Sequence, residues 1–380
     1  MAVYKTKGGY KADVYLYTDE NGKKIRKTQA FKLQRDAKEW EAQILRDCKD
    51  GVTNLNGNMP LREYLNYWYD TYVMANTKYQ TQKRYRTLID CVIDQLGHLQ
   101  LKGVKTAHVD RLYADLKQEM TTLKDGTVKR RYADGTILKV HRVFRQAMEK
   151  AIAWEMIARN PVSYAMTPKD DKRDIKTWTL KESYQFLSLI QGTVMYLPCF
   201  IVLHTGLRAG EVSALRWEDI DFDNNLLYVN KSAYEKTGEG TILGEPKTES
   251  SKDSVAMTSS LASELKRVAK NQKIHKLQHG VSTRFEYVCC WDDGRPLRPN
   301  YISTRFGALV EMHNMKKITF HGLRHTHASL LFELGESSHA ISKRLRHSRV
   351  STTDDIYIHL TEKAEKNTAQ LFDQAVKQIN

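Results

Sequence analysis

The sequence predicts a mainly α-helical chain with small β elements, arranged as three successive modules. Residues 1–50 alternate apolar and polar side chains around an Asn-Gly turn, which predicts a small sheet followed by one helix. Apolar residues recur at helical spacing through 61–165. The third region, 175–380, is again largely helical, but its β-rich run Leu226–Val229 predicts one small sheet.

The charge balance points to a polyanionic partner. The 380 residues include 60 Lys and Arg against 45 Asp and Glu, a net charge of +15. Nucleic acid is the first candidate for a chain with such an excess, and a merely basic soluble protein is the alternative. The length is enough for two or three domains, each with its own core, and a hydrophobic content of 41% is typical of a soluble globular protein.

The N-terminal sequence and the cysteines predict the cellular compartment. The start, MAVYKTKGGYKADVYLYTDENGKK, lacks the apolar segment of a signal peptide. No run approaches the ~18 apolar residues of a membrane helix. We therefore expect a cytoplasmic location and no membrane partner. The cysteines are sparse, odd in number and without C-x-x-C spacing, which favours reduced thiols and disfavours structural zinc. They are Cys48, Cys91, Cys199, Cys289 and Cys290.

The first module, 1–50, is a candidate DNA-binding element. Tyr10, Ala12, Val14 and Leu16 fall on one face of a predicted strand. A return strand over 24–31 follows, and LQRDAKEWEAQILRDCKD then has helical spacing. Basic residues on this sheet could lie in a DNA groove, although a solvated basic hairpin is equally typical of such a pattern. They are Lys23, Lys24, Arg26 and Lys27.

The second module, 61–165, follows a linker rich in Gly, Asn and Pro and is predicted to be a helical bundle. Its aromatic stripe, REYLNYWYDTYV, favours core packing over base stacking. The interleaved cations are better candidates for phosphate contacts. They are Lys78, Lys83, Arg84 and Arg86. The basic stretch LKDGTVKRRYADGT between two helices predicts an exposed loop.

The third module, 175–380, contains four short stretches with unusual chemistry. HTGLRAGE places Arg208 near a helix start and Glu211 three residues later, where the carboxylate could orient the guanidinium. An ordinary surface ion pair is the alternative. EPKTESSKDS places Lys247 on a predicted β-hairpin, where a lysine alone carries little information.

The third and fourth stretches are TFHGLRHTHAS and LRHSRVSTTDDIYIH. His321 and Arg324 project from one helical face, so they could grip one phosphate. A metal site is the competing interpretation, since two further histidines follow at 325 and 327. The absence of H-E-x-x-H and of acidic residues between 319 and 331 argues against it. The fourth stretch contains His347 and Tyr357.

Taken together, these stretches resemble the tyrosine recombinases of the phage integrase family. That family has an Arg in T-G-x-R-x-x-E, a Lys on a β-hairpin, H-x-x-R on a helix, and L-G-H before a nucleophilic Tyr. The matching residues occur here in the same order. They are Arg208 with Glu211, Lys247, His321 with Arg324, His347 and Tyr357. The resemblance is specific over about 200–360.

The resemblance implies a catalytic domain of mixed α/β fold at 175–380, with a C-terminal tail helix. It also implies an arm-type DNA-binding module at 1–50 and a helical core-binding (SAM-like) domain at 61–165. The implied activity is cutting and rejoining of double-stranded DNA recombination sites without metal or cofactor. Tyr357 would be the nucleophile, Arg208 and Arg324 would stabilise charge, and His321 would accept a proton.

The remaining implied roles concern the leaving group and the assembly. Lys247 would be the general acid, and His347 would hydrogen-bond the phosphate. The tail, TEKAEKNTAQLFDQAVKQIN, would link four subunits on two duplexes, or alternatively pack on its own domain. The implied setting is a phage or conjugative transposon in a bacterial cell, with DNA-bending or directionality proteins as possible accessories.

Two departures from the family pattern lie close to the tyrosine. Arg346 stands where the family usually has glycine, and Asp354 stands where it often has an apolar residue. Either change could alter how the tyrosine segment packs. A type IB topoisomerase-like enzyme, a catalytically idle DNA-binding regulator and a metal-dependent nuclease remain as alternative functions.

Overall fold

The computed structural model describes residues 2–6, 8–18, 24–49, 58–123, 125–170, 175–244, 253–279 and 285–346. Contacts along the chain divide it into two units, Met1–Lys172 and Arg173–Asn380, called here the N-terminal and C-terminal units.

Helices supply most of both units. Those of the N-terminal unit are α1 (Gln34–Lys49), α2 (Leu61–Trp68), α3 (Met74–Asn76), α4 (Tyr79–Leu96), α5 (Thr106–Gln118) and α6 (Asp134–Ala153), with a π-helical turn at Tyr69–Val73 and 3-10 turns at Leu101–Gly103 and Pro161–Tyr164. Those of the C-terminal unit are α7 (Leu180–Leu189), α8 (Tyr196–Thr205), α9 (Ala209–Ala214), α10 (Ser259–His279), α11 (Pro299–Met312), α12 (Phe320–Glu333) and α13 (Ser338–Arg344), with a 3-10 turn at Trp217–Asp219.

Short strands complete the two units. They are β1 (Ala2–Thr6), β2 (Gly9–Thr18), β3 (Lys24–Phe31), β4 (Met120–Thr122), β5 (Val128–Arg130), β6 (Ile220–Asp221), β7 (Leu226–Val229), β8 (Ser232–Lys236), β9 (Gly240–Gly244) and β10 (Asp253–Ala256). They pair antiparallel as β1-β2-β3, β4-β5, β10-β7-β6 and β8-β9.

The first module forms because one face of its sheet is apolar. Ala12 and Val14 alternate along β2 and are fully buried, and Ala37 on α1 is buried as well. The rings of Phe31 and Trp40 lie 5.7 Å apart. The predicted return strand over 24–31 is confirmed by β3. Strand β1, whose residues 2–6 pair with 9–13, is not in the prediction.

The helical part of the N-terminal unit has its own core. Tyr64, Trp68, Ile89 and Phe144 are fully buried, because the apolar stripes of α2, α4 and α6 face one another. The aromatic residues at 64 and 68 are therefore core residues, as the sequence predicts. The stretch 123–136, predicted as an exposed loop, is exposed over β5, but β5 pairs with β4 just before the stretch and forms a hairpin.

The C-terminal unit is built around α8 and α12. An aromatic cluster fills its centre, with the ring of Phe186 5.0 Å from Trp178 and 5.3 Å from Phe306. The predicted strand Leu226–Val229 is confirmed by β7. The prediction of one small sheet is wrong, because β8 and β9 form a separate hairpin sheet beside the β10-β7-β6 sheet. The fold class, mainly α with small sheets, is confirmed. Within the described ranges no helix is long and apolar enough to cross a bilayer.

Candidate active site

A glycine turn places the first arginine. Helix α8 ends at Thr205, and Gly206 follows with φ +70°, the left-handed conformation that glycine adopts most readily. A Cβ on Gly206 would lie 2.5 Å from Cδ2 of Leu345, so the leucine side chain would have to shift, and the positive φ would be strained as well. The T-G pair therefore turns the chain tightly, and Arg208 emerges as the N-cap residue of α9.

Glu211 holds Arg208 at two points. The backbone N–H of Arg208 donates to Oε2 of Glu211 at 2.9 Å, and Nη1 of Arg208 donates to Oε1 at 2.9 Å. The carboxylate is 4% exposed, whereas the arginine side chain is 38% exposed. Glu211 thus fixes the orientation of the Arg208 guanidinium, which remains partly accessible to solvent.

A second arginine shares the same carboxylate. Nη2 of Arg346 donates to Oε2 of Glu211 at 2.6 Å, and the Arg346 side chain is fully buried. Burial alone would raise the pKa of Glu211, but the charges of Arg346 and Arg208 outweigh it and lower that pKa below its usual value. Glu211 is therefore an anion fixed between two guanidinium groups.

Helix α12 supplies the third arginine. The helix begins after Thr319, whose side chain accepts a hydrogen bond from the backbone of Gly322 at 3.0 Å. Arg324 is 1% exposed, and its Nη1 donates to the carbonyl oxygen of Gly206 and its Nη2 to that of Leu345, both at 2.6 Å. Arg324 thereby connects the turn before Arg208 to the end of α13.

His321 lies one turn before Arg324 and near both arginines. Desolvation of its imidazole, followed by the proximity of His325, Arg324 and Arg208, lowers the pKa of His321 to about 4. The residue as a whole is exposed to solvent. A neutral imidazole at neutral pH can accept a proton.

Two further residues, His327 and Arg344, hydrogen-bond the backbone close to this cluster. Nε of Arg344 donates to Nε2 of His327 at 3.0 Å, so the tautomer of His327 has its proton on Nδ1, which bonds the carbonyl oxygen of Leu203 at 2.8 Å. Nη2 of Arg344 also donates to the carbonyl oxygen of His204 at 2.8 Å. Both ring nitrogens of His327 are thus engaged within the protein. The sequence offered no signal for Arg344, since its role depends on partners 17 and 140 positions away.

The cluster has a strong excess of positive charge. Arg208 and Arg346 bind the carboxylate of Glu211, and Arg324 and Arg344 bind the carbonyl oxygens of Gly206 and His204. Such a group suits a phosphate, whose oxygens accept several charge-assisted hydrogen bonds. Among the described residues, no group of three or more His, Cys, Asp or Glu side chains is arranged to hold a metal ion.

Three predicted catalytic residues lie outside the described residues. They are Lys247, His347 and Tyr357. The tail after 360 and Asp354 also lie outside them.

The predicted DNA contacts of the first module lie on β3, apart from Lys23, which is not described. Arg26 and Lys27 are exposed, and Nη1 of Arg26 bonds Oδ2 of Asp13 at 3.1 Å. Lys24 pairs with Thr18 in the strand register.

The predicted contacts of the second module cluster around the start of α4. Lys78, Lys83 and Arg84 are exposed. Arg86 is half-buried, because its guanidinium bonds Asp90 at 2.9 Å and Asn66 at 2.8 Å. Its position on α4 is therefore fixed by neighbours within the protein.

Family profiles match most of the chain. A profile described as "Phage integrase family" matches 183–364, "Arm DNA-binding domain" matches 2–47, and "Phage integrase, N-terminal SAM-like domain" matches 61–117. The C-terminal match spans the arginine cluster described above.

Two relatives match nearly the whole chain, and a third matches about half of it. A protein named tyrosine recombinase XerC-like from Caldanaerobacter subterraneus is 25% identical over 95% of both chains. The ICEBs1 integrase of Bacillus subtilis is 24% identical over 98% of this chain and 99% of its own. The integrase of Staphylococcus phage L54a is 34% identical over 45% of this chain and 49% of its own.

Solved structures show the same fold. The Tn1549 transposon integrase in complex with transposon right end DNA aligns with a TM-score of 0.68 at 24% identity, covering 79% of this chain and 95% of that one. A lambda integrase tetramer bound to a Holliday junction aligns with a TM-score of 0.57 at 18% identity, covering 91% and 95%. With its profile matches, its relatives and this fold, the chain belongs to the phage integrase family of tyrosine recombinases.

Proposed function

We propose that the protein is a site-specific DNA recombinase that integrates and excises a mobile genetic element. The observation that carries this proposal is the placement of Arg324, buried between the carbonyl oxygens of Gly206 and Leu345 and close to the accessible pair of Arg208 and Glu211. A polypeptide that buries so much positive charge around one exposed guanidinium is organised to bind an anion that reaches it from solvent.

The chemistry is a transesterification at a DNA phosphate. The phenolic oxygen of Tyr357 attacks phosphorus, the bond to the 5′-oxygen breaks, and a 3′-phosphotyrosine and a free 5′-hydroxyl result. Charge builds on the non-bridging oxygens during attack. Arg208 and Arg324 offset it, each donor being worth roughly 3–4 kcal/mol in sites of this kind.

Proton transfers complete the step. The phenol, with a pKa of about 10 in water, loses its proton to His321, which is neutral before DNA binds. Lys247 protonates the leaving 5′-oxygen, and His347 donates a hydrogen bond to the phosphate. A 5′-hydroxyl from a second duplex then attacks the phosphotyrosine, so strands are exchanged without a cofactor or metal.

The three modules have distinct proposed tasks. Residues 1–50 bind arm-type sites, 61–165 bind the core site, and 175–380 cut it, in agreement with the matched profiles. The protein acts in the bacterial cytoplasm as a tetramer on two duplexes, joined through the C-terminal tail. Accessory proteins bend the DNA or set direction. The tetrameric lambda integrase on a Holliday junction is consistent with this assembly.

A covalent-trapping experiment tests the nucleophile. A nicked core site with a 5′-bridging phosphorothiolate, in EDTA, should trap a protein–DNA adduct with the unchanged protein and none with Tyr357→Phe. Tyr228→Phe, at a partly exposed tyrosine on β7, is the matched control and should trap adduct normally. An adduct that persists in Tyr357→Phe, or that needs a divalent metal, would contradict the assignment.

The same substrate separates the general acid from the other groups. A thiolate leaves without protonation, so Lys247→Ala should cleave the phosphorothiolate normally but fail on the ordinary phosphodiester. Arg208→Lys keeps the charge but loses the planar fork, and should be slow on both substrates while binding DNA nearly as well. Relaxation of plasmids that lack any recombination site would favour a topoisomerase-like enzyme instead.

A further inference from the structure

Arg346 occupies a backbone position that favours glycine. It follows Leu345, the C-cap of α13, and has φ +54°. A residue with a Cβ is disfavoured in this left-handed conformation, which is why helices so often end with glycine there. The family that this chain belongs to usually has glycine before the histidine, so the arginine needs a compensating interaction.

That interaction is the bond to Glu211. The Arg346 side chain is 0% exposed, and its Nη2 lies 2.6 Å from Oε2 of a carboxylate 135 positions earlier in the chain. Burying a guanidinium is costly unless a partner of opposite charge meets it, and Glu211 is that partner.

A second cation nearby raises the free-energy cost of burying Arg346. Arg344, two residues earlier, is partly buried as well, and burial together with the charge of Arg346 lowers the pKa of Arg344. Two cations lie close together at the end of α13. The contact with Glu211 therefore offsets both a left-handed backbone and repulsion between like charges.

The same carboxylate orients Arg208. Oε1 of Glu211 accepts from Nη1 of Arg208, and Oε2 accepts from its backbone N–H. Leu345, adjacent to Arg346, accepts from Nη2 of Arg324. One turn of backbone therefore contacts both catalytic arginines, one through a carbonyl and the other through Arg346 and Glu211.

We propose that Arg346 is a positioning residue for DNA cleavage: it fixes the carboxylate of Glu211 and, through it, the guanidinium of Arg208. This inference rests on the proposed function. It also places a second anchor directly before His347 and eleven positions before Tyr357 in the sequence. Glycine would adopt this backbone conformation more easily, but Arg346 forms an ion pair that links position 346 to position 211.

The test is single-turnover adduct formation by the full chain at saturating nicked phosphorothiolate DNA. Arg346→Met should slow the reaction about tenfold, in the range typical of residues that orient a catalytic group. The dissociation constant for DNA should change less than about twofold, because Arg346 is buried and contacts no solvent. Arg346→Lys should recover part of the rate, since it restores a cationic donor towards Glu211.

A double-mutant cycle shows whether Arg346 acts through Glu211. If it does, Arg346→Met should have little further effect in a Glu211→Gln background. An equal slowing in both backgrounds would overturn the proposal, because an effect that acts through Glu211 cannot persist once that carboxylate has been removed.

Two controls separate the side chain from the backbone. Arg346→Gly relieves the left-handed strain but removes the ion pair, so it should be as slow as Arg346→Met. Asn314→Gly relieves a comparable φ of +51° after α11, and Arg295→Met removes an exposed arginine; both should react at the unchanged rate.

The outcomes distinguish this inference from the proposed function. Unchanged adduct formation in Arg346→Met and Arg346→Gly would overturn the inference alone. Failure of the unchanged protein to form any adduct would overturn the proposed function and the inference together.

Discussion

The buried arginines of the C-terminal cluster and the surface arginines of the N-terminal unit are held in opposite ways. In the C-terminal unit, Arg324 and Arg346 are buried, and carbonyl oxygens or a buried carboxylate fix them. In the N-terminal unit, Arg26 and Arg130 pair with Asp13 and Asp134 at the surface, where water competes for each bond. Exposed pairs of this kind contribute little to stability.

This difference separates two uses of positive charge. A guanidinium fixed before the reaction stabilises developing charge without having to reorganise, at the expense of its own hydration. An exposed cation follows the DNA backbone and contributes affinity that falls with salt. Substitutions in the C-terminal cluster should therefore change rate or folding, and those in the N-terminal unit should change binding.

The largest effect is expected at Arg324. Arg324→Gln removes a transition-state donor and leaves the carbonyl oxygens of Gly206 and Leu345 poorly satisfied. We expect adduct formation to fall by about 10²–10³-fold or more. Arg130→Gln, which breaks a surface pair with Asp134, is the matched control and should cleave normally. Comparable rates of adduct formation in Arg324→Gln and Arg130→Gln would contradict the proposed difference between buried and surface arginines.

Loss of the shared carboxylate should also lower stability. Glu211→Gln leaves the buried Arg346 without its counter-charge, so the free energy of unfolding should fall by about 3–5 kcal/mol in urea titrations. The matched change in the other unit, Asp90→Asn beside Arg86, should lower it by no more than about 1 kcal/mol.

The stability difference at Glu211 should also depend on pH. Its pKa is lowered in the folded protein, so its contribution is complete above the unfolded-state pKa of about 4.3. The contribution is lost as the pH falls through the lower folded-state pKa. Urea titrations at successive pH values should therefore show the unchanged protein and Glu211→Gln converging only in strong acid; convergence near pH 6 would contradict the ion pair.

A smaller effect should accompany DNA binding at His321. Its pKa is about 4 in the free protein, and a nearby phosphate raises it. Binding should therefore take up a fraction of a proton near pH 5, and affinity should rise as the pH falls through the bound-state pKa. Calorimetry in buffers of different ionisation enthalpy measures this uptake, which should disappear in His321→Asn. Uptake that persists in the variant would assign it to another group.

The smallest effect should occur on α4. Arg84→Gln should weaken DNA binding at every sequence and reduce the slope of log K against log salt by about 0.9, while the rate at saturating DNA stays constant. Arg86→Gln should change the slope less, because Asp90 and Asn66 already bind that guanidinium. A change in the cleavage rate in Arg84→Gln would show that the second module takes part in catalysis.

Local patterns made part of this molecule predictable. Alternation and turn residues placed β3 at 24–31 and β7 at 226–229, and the order of motifs selected Arg208, Glu211, His321 and Arg324 as one set. These features depend on neighbours a few residues away or on a recognisable succession of residue types. The geometry of the set agrees, since Glu211 binds Arg208 and both arginines act on His321. Their catalytic roles stay predictions.

The unpredicted features depend on distant partners. Strand β5 resembles a basic loop in sequence, because its side chains are exposed and give no apolar alternation. Hairpin β8-β9 likewise lacks a clear period. The contact of Arg346 with Glu211 spans 135 positions, and the sequence marked Arg346 only as a missing glycine.

The two acceptors of Arg324 also set an order of events during synthesis. Gly206 is made 118 positions before this arginine, whereas Leu345 is made 21 positions after it. A nascent chain that has not yet emerged past Leu345 therefore lacks one carbonyl oxygen that holds the guanidinium. Since domains generally fold as units during translation, the arginine cluster closes only after Leu345 has been made.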